Sequence, residues 1–406
     1  MNRTLAFALA VLLVVLIPCR PAIAYLVDTT IPQGSGCPQP QLFNLSTGTP
    51  LNRQWSVALP SSPATLLTSA SAGSSAQLDE IEQAITDSFG AWAGVTGTTL
   101  NSTTYPGMLA PLNRVTTANA CTNDAETNVD GMNTICFDQS SDGFTDGVLA
   151  FTRVITANAI GASVGNSPPA QFVGQILDAN TLFRNDGQAM FATPSALATQ
   201  QGQGACDLES LLIHELGHWF ALDHSGVWRS IMFPFAPPPG QFLGSRPTPT
   251  APDGPLADDD RAGIRSLYPD PNDSVNIGAI RGRIVPANPF ALATLPATSP
   301  GSYVSGIFGA QVVAVDADSG AVVAAALSLG SCAASNPPMH FDGSFDIERL
   351  PIGRRYLIYV EPLVGLATPA DFSGALDDLC SSSPTASCTT PAANTNFNPA
   401  FLSASP

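Results

Sequence analysis

The sequence predicts an α+β unit followed by a smaller all-β unit, on three observations. Up to residue 269, strand-like runs alternate with helical patterns, which is typical of helices packed on a sheet. Beyond the linker at 270–275, short strand-like runs follow one another without helices, which is typical of a β-sandwich. A hydrophobic content of 44% over 406 residues is enough for more than one core.

The helices of the first unit are predicted over 77–93, 207–221 and 258–267. The first is identified by apolar residues at helical spacing, namely Leu78, Ile81, Ala84, Ile85, Phe89 and Trp92. A Pro-rich loop over 233–255 precedes the last helix, which Pro269 terminates. Strands are expected at 55–59, 134–137, 147–156 and 175–183.

The first 24 residues have the pattern of a signal peptide. Arg3 precedes an apolar run over 5–17, and Ala22-Ile23-Ala24 offers the small-x-small pattern that a signal peptidase cleaves. Lipidation at Cys19 is disfavoured by Pro18, which occupies a position where such signals need a small residue. No later stretch has the length and apolar character of a membrane anchor. We therefore expect a secreted, extracellular protein.

The composition is acidic and poor in charged residues. These make up 12% of the chain, every basic residue is an arginine, and the formal net charge is −17. Such a surface repels nucleic acid and anionic lipid, so neither is an expected partner. A need to keep an exported protein soluble is sufficient to explain the acidity. Separately, we expect the protein to be a monomer.

Cleavage after Ala24 leaves an odd number of cysteines, so at least one thiol is expected to stay unpaired. The others are expected to form disulfides in an exported protein. Cys121 with Cys136, and Cys380 with Cys388, are close enough in sequence for local bridges. No C-x-x-C pair is present, which disfavours a cysteine-based zinc site.

Composition divides the mature chain into segments. Residues 25–50 are predicted to be an irregular lead-in, because they are rich in Pro, Gly, Ser and Thr. The other expected bounds are 51–269 for the first unit, 276–365 for the all-β unit and 366–406 for a Ser/Pro/Thr-rich tail. Strands of the all-β unit are expected at 280–285, 310–315, 321–325, 343–347 and 356–360. The tail composition predicts poor order.

The most informative stretch runs from residue 214 to 224 and contains three of the four histidines of the chain. His214 and His218 are four residues apart on a predicted helix, so they share a face and lie roughly 6 Å apart along its axis. They can therefore bind one ion. Glu215 would lie near the open coordination position. A bound zinc would lower the pKa of a water toward about 7, and Glu215 would take the proton and pass it to a leaving amine.

His224 is the expected third ligand, and its position requires a break in the helix. Six residues beyond His218 correspond to about 600° of helical rotation, which would turn the His224 ring away. The chain must therefore reverse direction near Ala221. A lone H-E-x-x-H can be an ion-paired helix surface, but the third histidine favours a site with one catalytic zinc.

These residues resemble the metzincin clan of zinc peptidases, and its matrixin-like branch in particular. The three histidines and the glutamate of the clan pattern H-E-x-x-H-x-x-G-x-x-H are present, and Ser225 follows the last histidine, as in matrixins. Ser230-Ile231-Met232-Phe233-Pro234 is similar to the family's Met-turn, and the first and last helices resemble those of matrixin catalytic domains. The resemblance covers about 51–269. It implies an α/β/α domain with a twisted mixed sheet and a long active-site helix, Met232 beneath the metal, and endopeptidase activity on proteins or peptides.

Two departures from the family pattern concern the metal site. Ala221 stands where the clan has glycine, and if its φ is positive the alanine should cost about 1 kcal/mol. The propeptide cysteine that keeps matrixins latent has no close match, because Gly36-Cys37-Pro38 is only faintly similar. A disulfide is the expected state of Cys37.

Further metals are a separate question. Animal matrixins hold a second, structural zinc with additional histidines, whereas only His340 remains here, in the other unit, so a second zinc is not expected. Calcium would suit the oxygen-rich turns at 142–147 and 130–131, although ordinary turn chemistry is the favoured interpretation of both.

Substrate preference depends on the loop after Met232. By motif position, Pro234, Phe235 and Ala236 would form the wall of the S1′ pocket, which accepts the residue just after the scissile bond. A wall of backbone and apolar atoms favours an apolar side chain.

Residues 276–365 resemble the transthyretin-like or carboxypeptidase-regulatory-like β-sandwich. The resemblance rests on turn glycines and alternating apolar residues at 280–285, 309–315, 342–347 and 350–356. Such motifs specify a fold and not an activity, so a stabilising or substrate-docking accessory is expected.

Two other functions compete with the peptidase. One is an extracellular binding protein or adhesin with a non-catalytic zinc domain, which the intact Glu215 and three histidines argue against. The other is a metal-dependent hydrolase of a non-peptide bond, which the matrixin-like features argue against.

Overall fold

The computed structural model describes residues 26–33, 36–45, 51–56, 66–71, 74–101, 112–115, 130–139, 144, 147–165, 167–184, 189–199, 204–236, 255–273, 277–288, 303–304, 306–332, 339–363, 365–376, 379 and 390–401. The predicted signal peptide lies outside these residues. Within them, every helix is too short or too polar to span a membrane.

Helices and short strands make up the described chain. The helices are α1 (Ser75–Ala93), α2 (Pro194–Thr199), α3 (Leu208–Trp219), α4 (Asp258–Leu267) and α5 (Ser373–Leu376). The strands before α4 are β1 (Thr29–Thr30), β2 (Gln39–Pro40), β3 (Arg53–Ser56), β4 (Leu66–Leu67), β5 (Asn113–Val115), β6 (Asn133–Gln139), β7 (Ala150–Thr156), β8 (Ile176–Arg184), β9 (Phe191–Ala192) and β10 (Cys206–Asp207). Those after it are β11 (Ile277–Arg283), β12 (Tyr303–Val304), β13 (Ala310–Asp316), β14 (Val322–Leu327), β15 (Ser331–Cys332), β16 (Met339–Phe341), β17 (Ser344–Pro351), β18 (Tyr356–Pro362) and β19 (Ala400–Phe401).

The largest sheet has the strand order β5-β3-β6-β8-β7. Strands β3, β5, β6 and β8 run parallel, and β7 pairs antiparallel with β8 at one edge. Strand β8 is buried along its whole length, which fits its place between two neighbours. The predicted strands of the first unit overlap β3, β6, β7 and β8, so the expected mixed sheet is confirmed.

Helices α1 and α3 pack against each other, and α3 also contacts strand β7. All six predicted apolar positions of α1 are buried. The Trp92 indole Nε1 donates to the Ile213 carbonyl at 2.9 Å, and the Phe89 ring lies edge-on to Trp219 with centroids 5.3 Å apart. The packing of α1 therefore sets the position of α3.

Beyond residue 276 the chain forms small sheets with the orders β11-β17, β12-β16-β15 and β14-β13-β18-β19. The five predicted strands of this part overlap β11, β13, β14, β17 and β18. Helix α4 packs on β14 and β17, and Val312, Ala324 and Ile347 belong to the same hydrophobic core as α1 and α3. The two parts of the chain therefore share a core across α4.

The lead-in is packed on both parts of the molecule. Val27 forms an antiparallel bridge with Leu222, and Leu42 a parallel one with Gln175. Cys37 forms a disulfide with Cys332, 295 residues away in sequence. The expected disulfide state of Cys37 is thus confirmed, although its partner was not predicted.

The other cysteines divide into two groups. Cys206 is a free thiol among the described cysteines, and Cys136 is disulfide-bonded. The predicted partner Cys121 lies outside the described residues, as does the predicted pair Cys380 with Cys388.

The predicted poor order of the tail is wrong for residues 369–376. A 3₁₀ turn, Pro369–Phe372, leads into α5. Apolar residues at i, i+3, i+4 and i+7 are buried here, namely Phe372, Ala375, Leu376 and Leu379. The surrounding Ser/Pro/Thr-rich composition obscured this short helical pattern.

Candidate metal centre

Helix α3 presents two of the three predicted ligands. Asp207 caps its first turn, because the Asp207 carboxylate accepts from the Glu209 N–H at 3.2 Å and from the Ser210 hydroxyl at 2.9 Å. The centroids of the His214 and His218 rings are 4.9 Å apart. The predicted shared helix face is confirmed.

The helix ends where the position of His224 requires it to end. The Leu222 N–H donates to the Gly217 carbonyl at 3.0 Å, and the Ala221 N–H to the His218 carbonyl at 2.9 Å. These two bonds define a Schellman motif, which needs a left-handed residue just after the C-cap residue, Phe220. Ala221 is that residue, with φ of 69°. The predicted reversal near Ala221 is confirmed, and the condition of a positive φ, under which the alanine is strained, is met.

The reversal brings His224 to the other two histidines. Its ring centroid lies 5.3 Å from that of His214 and 5.0 Å from that of His218. One ring nitrogen from each histidine lies within 4.8 Å of the others. The structure thus gathers the three predicted ligand residues at one point.

Each of these imidazoles donates a hydrogen bond through Nδ1 to a backbone carbonyl. His214 bonds to Ile231 O at 2.7 Å, His218 to Leu222 O at 2.7 Å and His224 to Asp371 O at 2.5 Å. A carbonyl only accepts, so Nδ1 carries the hydrogen and Nε2 keeps its lone pair. Three Nε2 lone pairs are therefore available to one ion, which fits the donor set of catalytic zinc.

Burial keeps His214 and His218 in the neutral form that binds a metal. It lowers the pKa of His214 to about 3, with the nearby His224 contributing in the same direction. It also lowers the pKa of His218 well below the usual value. Neither ring needs to lose a proton before it binds a metal at neutral pH.

Glu215 is buried beside these ligands and holds a defined hydrogen bond. Glu215 is only 4% exposed, and its Oε2 accepts a hydrogen bond from the Thr152 hydroxyl at 2.7 Å. Burial raises the pKa of Glu215 to about 7, although the Thr152 hydrogen bond lowers it. Such a carboxyl group can exchange a proton near neutral pH.

A directed hydrogen-bond chain leads to Glu215. The Trp219 indole Nε1, which can only donate, bonds to Thr181 Oγ1 at 2.7 Å. Thr181 Oγ1 lies 2.7 Å from Thr152 Oγ1, and since the only hydrogen of the Thr152 hydroxyl is directed to Glu215, Thr181 is the donor of this bond. The Thr152 hydrogen then points at the Glu215 carboxylate. Thr152 and Thr181 are directly opposite on β7 and β8.

The segment that resembles a Met-turn is held by helix α4. The Asp260 carboxylate accepts from the Ser230 hydroxyl and, at 2.9 Å, from the Ile231 N–H. Met232 is 2% exposed, and a Cβ added to Gly217 would lie 2.1 Å from its Sδ. Met232 therefore packs tightly against α3, one residue before His218.

The histidines and Glu215 line a cavity of about 790 Å³. Its walls include the edge strand β7 and the predicted pocket residues Pro234, Phe235 and Ala236. The structure thus brings the predicted wall residues into the same cavity as the candidate ligands.

The turn at 130–131, one of the two candidate calcium turns, shows an ordinary turn hydrogen bond, since Asp130 Oδ1 accepts from the Met132 N–H at 2.8 Å. Asp142 and Asp146 of the other turn lie outside the described residues.

Several contributors to the site were not predicted. Thr152 and Thr181 lie in predicted strands, but their contact depends on the register between β7 and β8. Asp371 contributes its backbone carbonyl, and the identity of a side chain does not predict which backbone carbonyl will contact a histidine. Asp28, which also lines the cavity, belongs to the irregular lead-in.

Comparison with known proteins agrees with this geometry. Residues 162–269 match the family model for matrixins (Peptidase_M10), so this part of the chain is similar to that family. Over 64 residues, which are 16% of this chain, it is 42% identical to Metalloendoproteinase 1 of Glycine max. That match spans 17% of the length of the soybean protein.

Proposed function

We propose that this chain is a secreted zinc-dependent endopeptidase. The observation that carries the proposal is the set of three carbonyl-anchored imidazoles, with Glu215 buried beside them in one cavity. His214, His218 and His224 would hold the metal. Zinc, when bound, supplies a Lewis acid that lowers the pKa of water toward about 7 and polarises a carbonyl group.

The protein's own groups account for the proton transfers. Glu215 Oε1 and Oε2 can take a proton from the attacking water and return it to the departing amine nitrogen. The Thr152 hydroxyl holds Oε2, so the carboxylate stays oriented during both transfers. With burial raising the pKa of Glu215 to about 7, the group can act as base and then as acid near neutrality.

An extended peptide fits the cavity better than a compact substrate does. Strand β7 is the outer strand of its sheet within the described residues, and it lines the cavity. The free edge of a strand can pair with the backbone of an extended peptide. Pro234, Phe235 and Ala236 would then contact the side chain that follows the scissile bond, and favour an apolar one.

The proposal extends to the remaining parts of the chain. Residues 1–24 would be removed on secretion, and the Cys37–Cys332 disulfide supports an oxidising compartment. N-terminal sequencing of the exported protein should begin at Tyr25. The catalytic domain would span 51–269, and 276–365 would form the sandwich.

Proteolysis of casein tests the function. The zinc-loaded protein should cleave casein, and a chelator should abolish cleavage. Glu215→Gln should retain zinc and lose about 10²–10⁴-fold in kcat, because the proton acceptor is gone. Glu209→Gln, on the same helix but outside the cavity, is the matched control and should keep full activity.

The same digest separates the alternatives. Sequenced products should show apolar residues after the cleaved bonds, and a predominance of charged residues would reject the assigned pocket wall. A folded, zinc-loaded protein that leaves every polypeptide intact would favour the non-catalytic binding protein.

A further inference from the structure

A segment far beyond the matrixin match reaches the metal centre. The Asp371 carbonyl that accepts from His224 Nδ1 lies 147 residues further along the chain. The corresponding carbonyls for His214 and His218 come from 17 and 4 residues away. Ala370, Asp371 and Gly374 also line the cavity. One of the three ligands thus depends on a distant part of the sequence.

The turn that presents this carbonyl is fixed by its own side chain. Asp371 Oδ2 accepts from the Thr368 N–H at 2.7 Å and from the Thr368 hydroxyl at 2.8 Å. These two bonds close the turn over residues 368–371. The position of the carbonyl therefore depends on the Asp371 carboxylate.

Apolar burial anchors the segment on both parts of the molecule. Phe372 is fully buried in a cluster that contains Phe233 of the pocket loop and the disulfide cysteines Cys37 and Cys332. The cluster also contains Ala375, Leu376 and Leu379. The segment is thus packed in place independently of any bound metal.

Gly374 permits a close approach to the lead-in and to the residue before His224. A Cβ at this position would lie 2.0 Å from Asp28 Oδ1 and 3.0 Å from Asp223 Oδ2. Asp223 in turn accepts from the His224 N–H at 2.6 Å. A side chain at 374 would therefore force the Asp28 carboxylate, the segment that presents the Asp371 carbonyl, or both to shift.

We infer that residues 368–374 complete the metal centre by positioning His224. The Asp371 carbonyl decides which ring nitrogen carries the hydrogen and how the ring is oriented. Asp371 is a positioning residue, because its carbonyl touches the ligand and not the substrate. The inference rests on the proposed role of His224 as a zinc ligand.

The zinc affinity of the full chain tests this role, measured by competition with a chromophoric chelator. Gly374→Ala should bind zinc about 10–100-fold more weakly, which is the usual effect of losing a partner that orients a ligand. Gly90→Ala is the matched control, since a Cβ on this helical glycine meets no atom within 4 Å. It should bind zinc as the wild type does.

The metal-free protein provides a second readout. The ¹⁵N shifts of the ring nitrogens report the tautomer, and a chain with four histidines allows their assignment. His224 should be protonated at Nδ1 in the wild type and become a mixture of tautomers in Gly374→Ala. A segment that only stabilised the fold would leave this tautomer unchanged.

A second pair of variants tests the same inference if Gly374→Ala does not fold. Asp371→Ala removes the turn bonds and should weaken zinc binding, whereas Asp371→Asn keeps an acceptor oxygen and should restore it. Folded variants with wild-type zinc affinity and an unchanged His224 tautomer would overturn the inference. Tight zinc binding without proteolysis would reject the proposed function alone.

Discussion

Thr152 shows how one hydroxyl group can orient a buried carboxylate. Its hydrogen points at Glu215 because an ionised carboxylate only accepts, which leaves the Thr152 oxygen to accept from the Thr181 hydroxyl. The orientation of Glu215 is thus determined by residues on two strands and one helix.

Replacement of Thr152 tests this orientation. Thr152→Val has nearly the same shape and lacks the hydroxyl, and a hydrogen bond to a charged group contributes about 1.5–3 kcal/mol. We expect kcat/KM for a peptide to fall about 10–100-fold, with zinc content unchanged. Thr152→Ser should restore most of the rate. Equal rates for the valine and serine variants would contradict the argument.

At the scale of elements, the decisive feature is the C-terminus of helix α3. Its Schellman motif turns the chain after Trp219, places the Leu222 carbonyl on His218 and brings His224 back. The bridge from Val27 to Leu222 holds this turn from outside the helix. Ala221 adopts a left-handed conformation that alanine disfavours.

Ala221→Gly should therefore stabilise the metal-free protein. Relief of the left-handed alanine should raise the free energy of unfolding by about 1 kcal/mol. Denaturant titration measures this change. Ala91→Gly, within α1, is the matched control and should lower stability by about 0.5–1 kcal/mol. A loss of stability in both variants would show that the turn carries no strain.

At the scale of the whole molecule, helix α4 joins the part of the chain that is similar to matrixins to the sheets that follow. Asp259 accepts from the Ser225 hydroxyl at 2.5 Å and from the Ala325 N–H of β14 at 2.7 Å. Its neighbour Asp260 holds the segment at 230–232. Adjacent carboxylates on one helix therefore connect the metal centre to the C-terminal part.

The stability of this joint should depend on pH. Burial, with the nearby Asp260, raises the pKa of Asp259 to about 7, so the folded state favours its protonated form. The contribution of Asp259 to stability is fully present below its unfolded pKa of about 4, and it is lost as the pH rises through its folded pKa of about 7. The unfolding free energy of the wild type relative to Asp259→Asn should therefore fall by about 2–4 kcal/mol from pH 4 to 8.

A second carboxylate provides the opposite sign as an internal control. Hydrogen bonds from the Ser319 and Asp318 N–H groups lower the pKa of Asp316. The contribution of Asp316 to stability is present above its unfolded pKa and is lost as pH falls. The unfolding free energy of the wild type relative to Asp316→Asn should therefore rise with pH, opposite to the trend for Asp259. Parallel slopes for the two variants, measured by denaturant titration, would contradict the Asp259 assignment.

Local patterns in the sequence predicted the longer helices and strands and the candidate metal ligands. Helix α4 was predicted with its observed bounds, and the spacing of His214, Glu215 and His218 required only the geometry of one helix. The reversal at Ala221 followed from asking how His224 could reach the same ion. Each of these conclusions depends on residues close together in the chain.

Only the tertiary structure decided which distant groups complete the site. The contact between Thr152 and Thr181 depends on strand register, and the carbonyl of Asp371 reaches His224 through the packing of Phe372. The Cys37–Cys332 disulfide likewise joins the lead-in to strand β15, 295 residues away in sequence. Backbone carbonyls are chemically alike at every residue, so no sequence pattern distinguishes the one that the folded chain brings to a metal ligand.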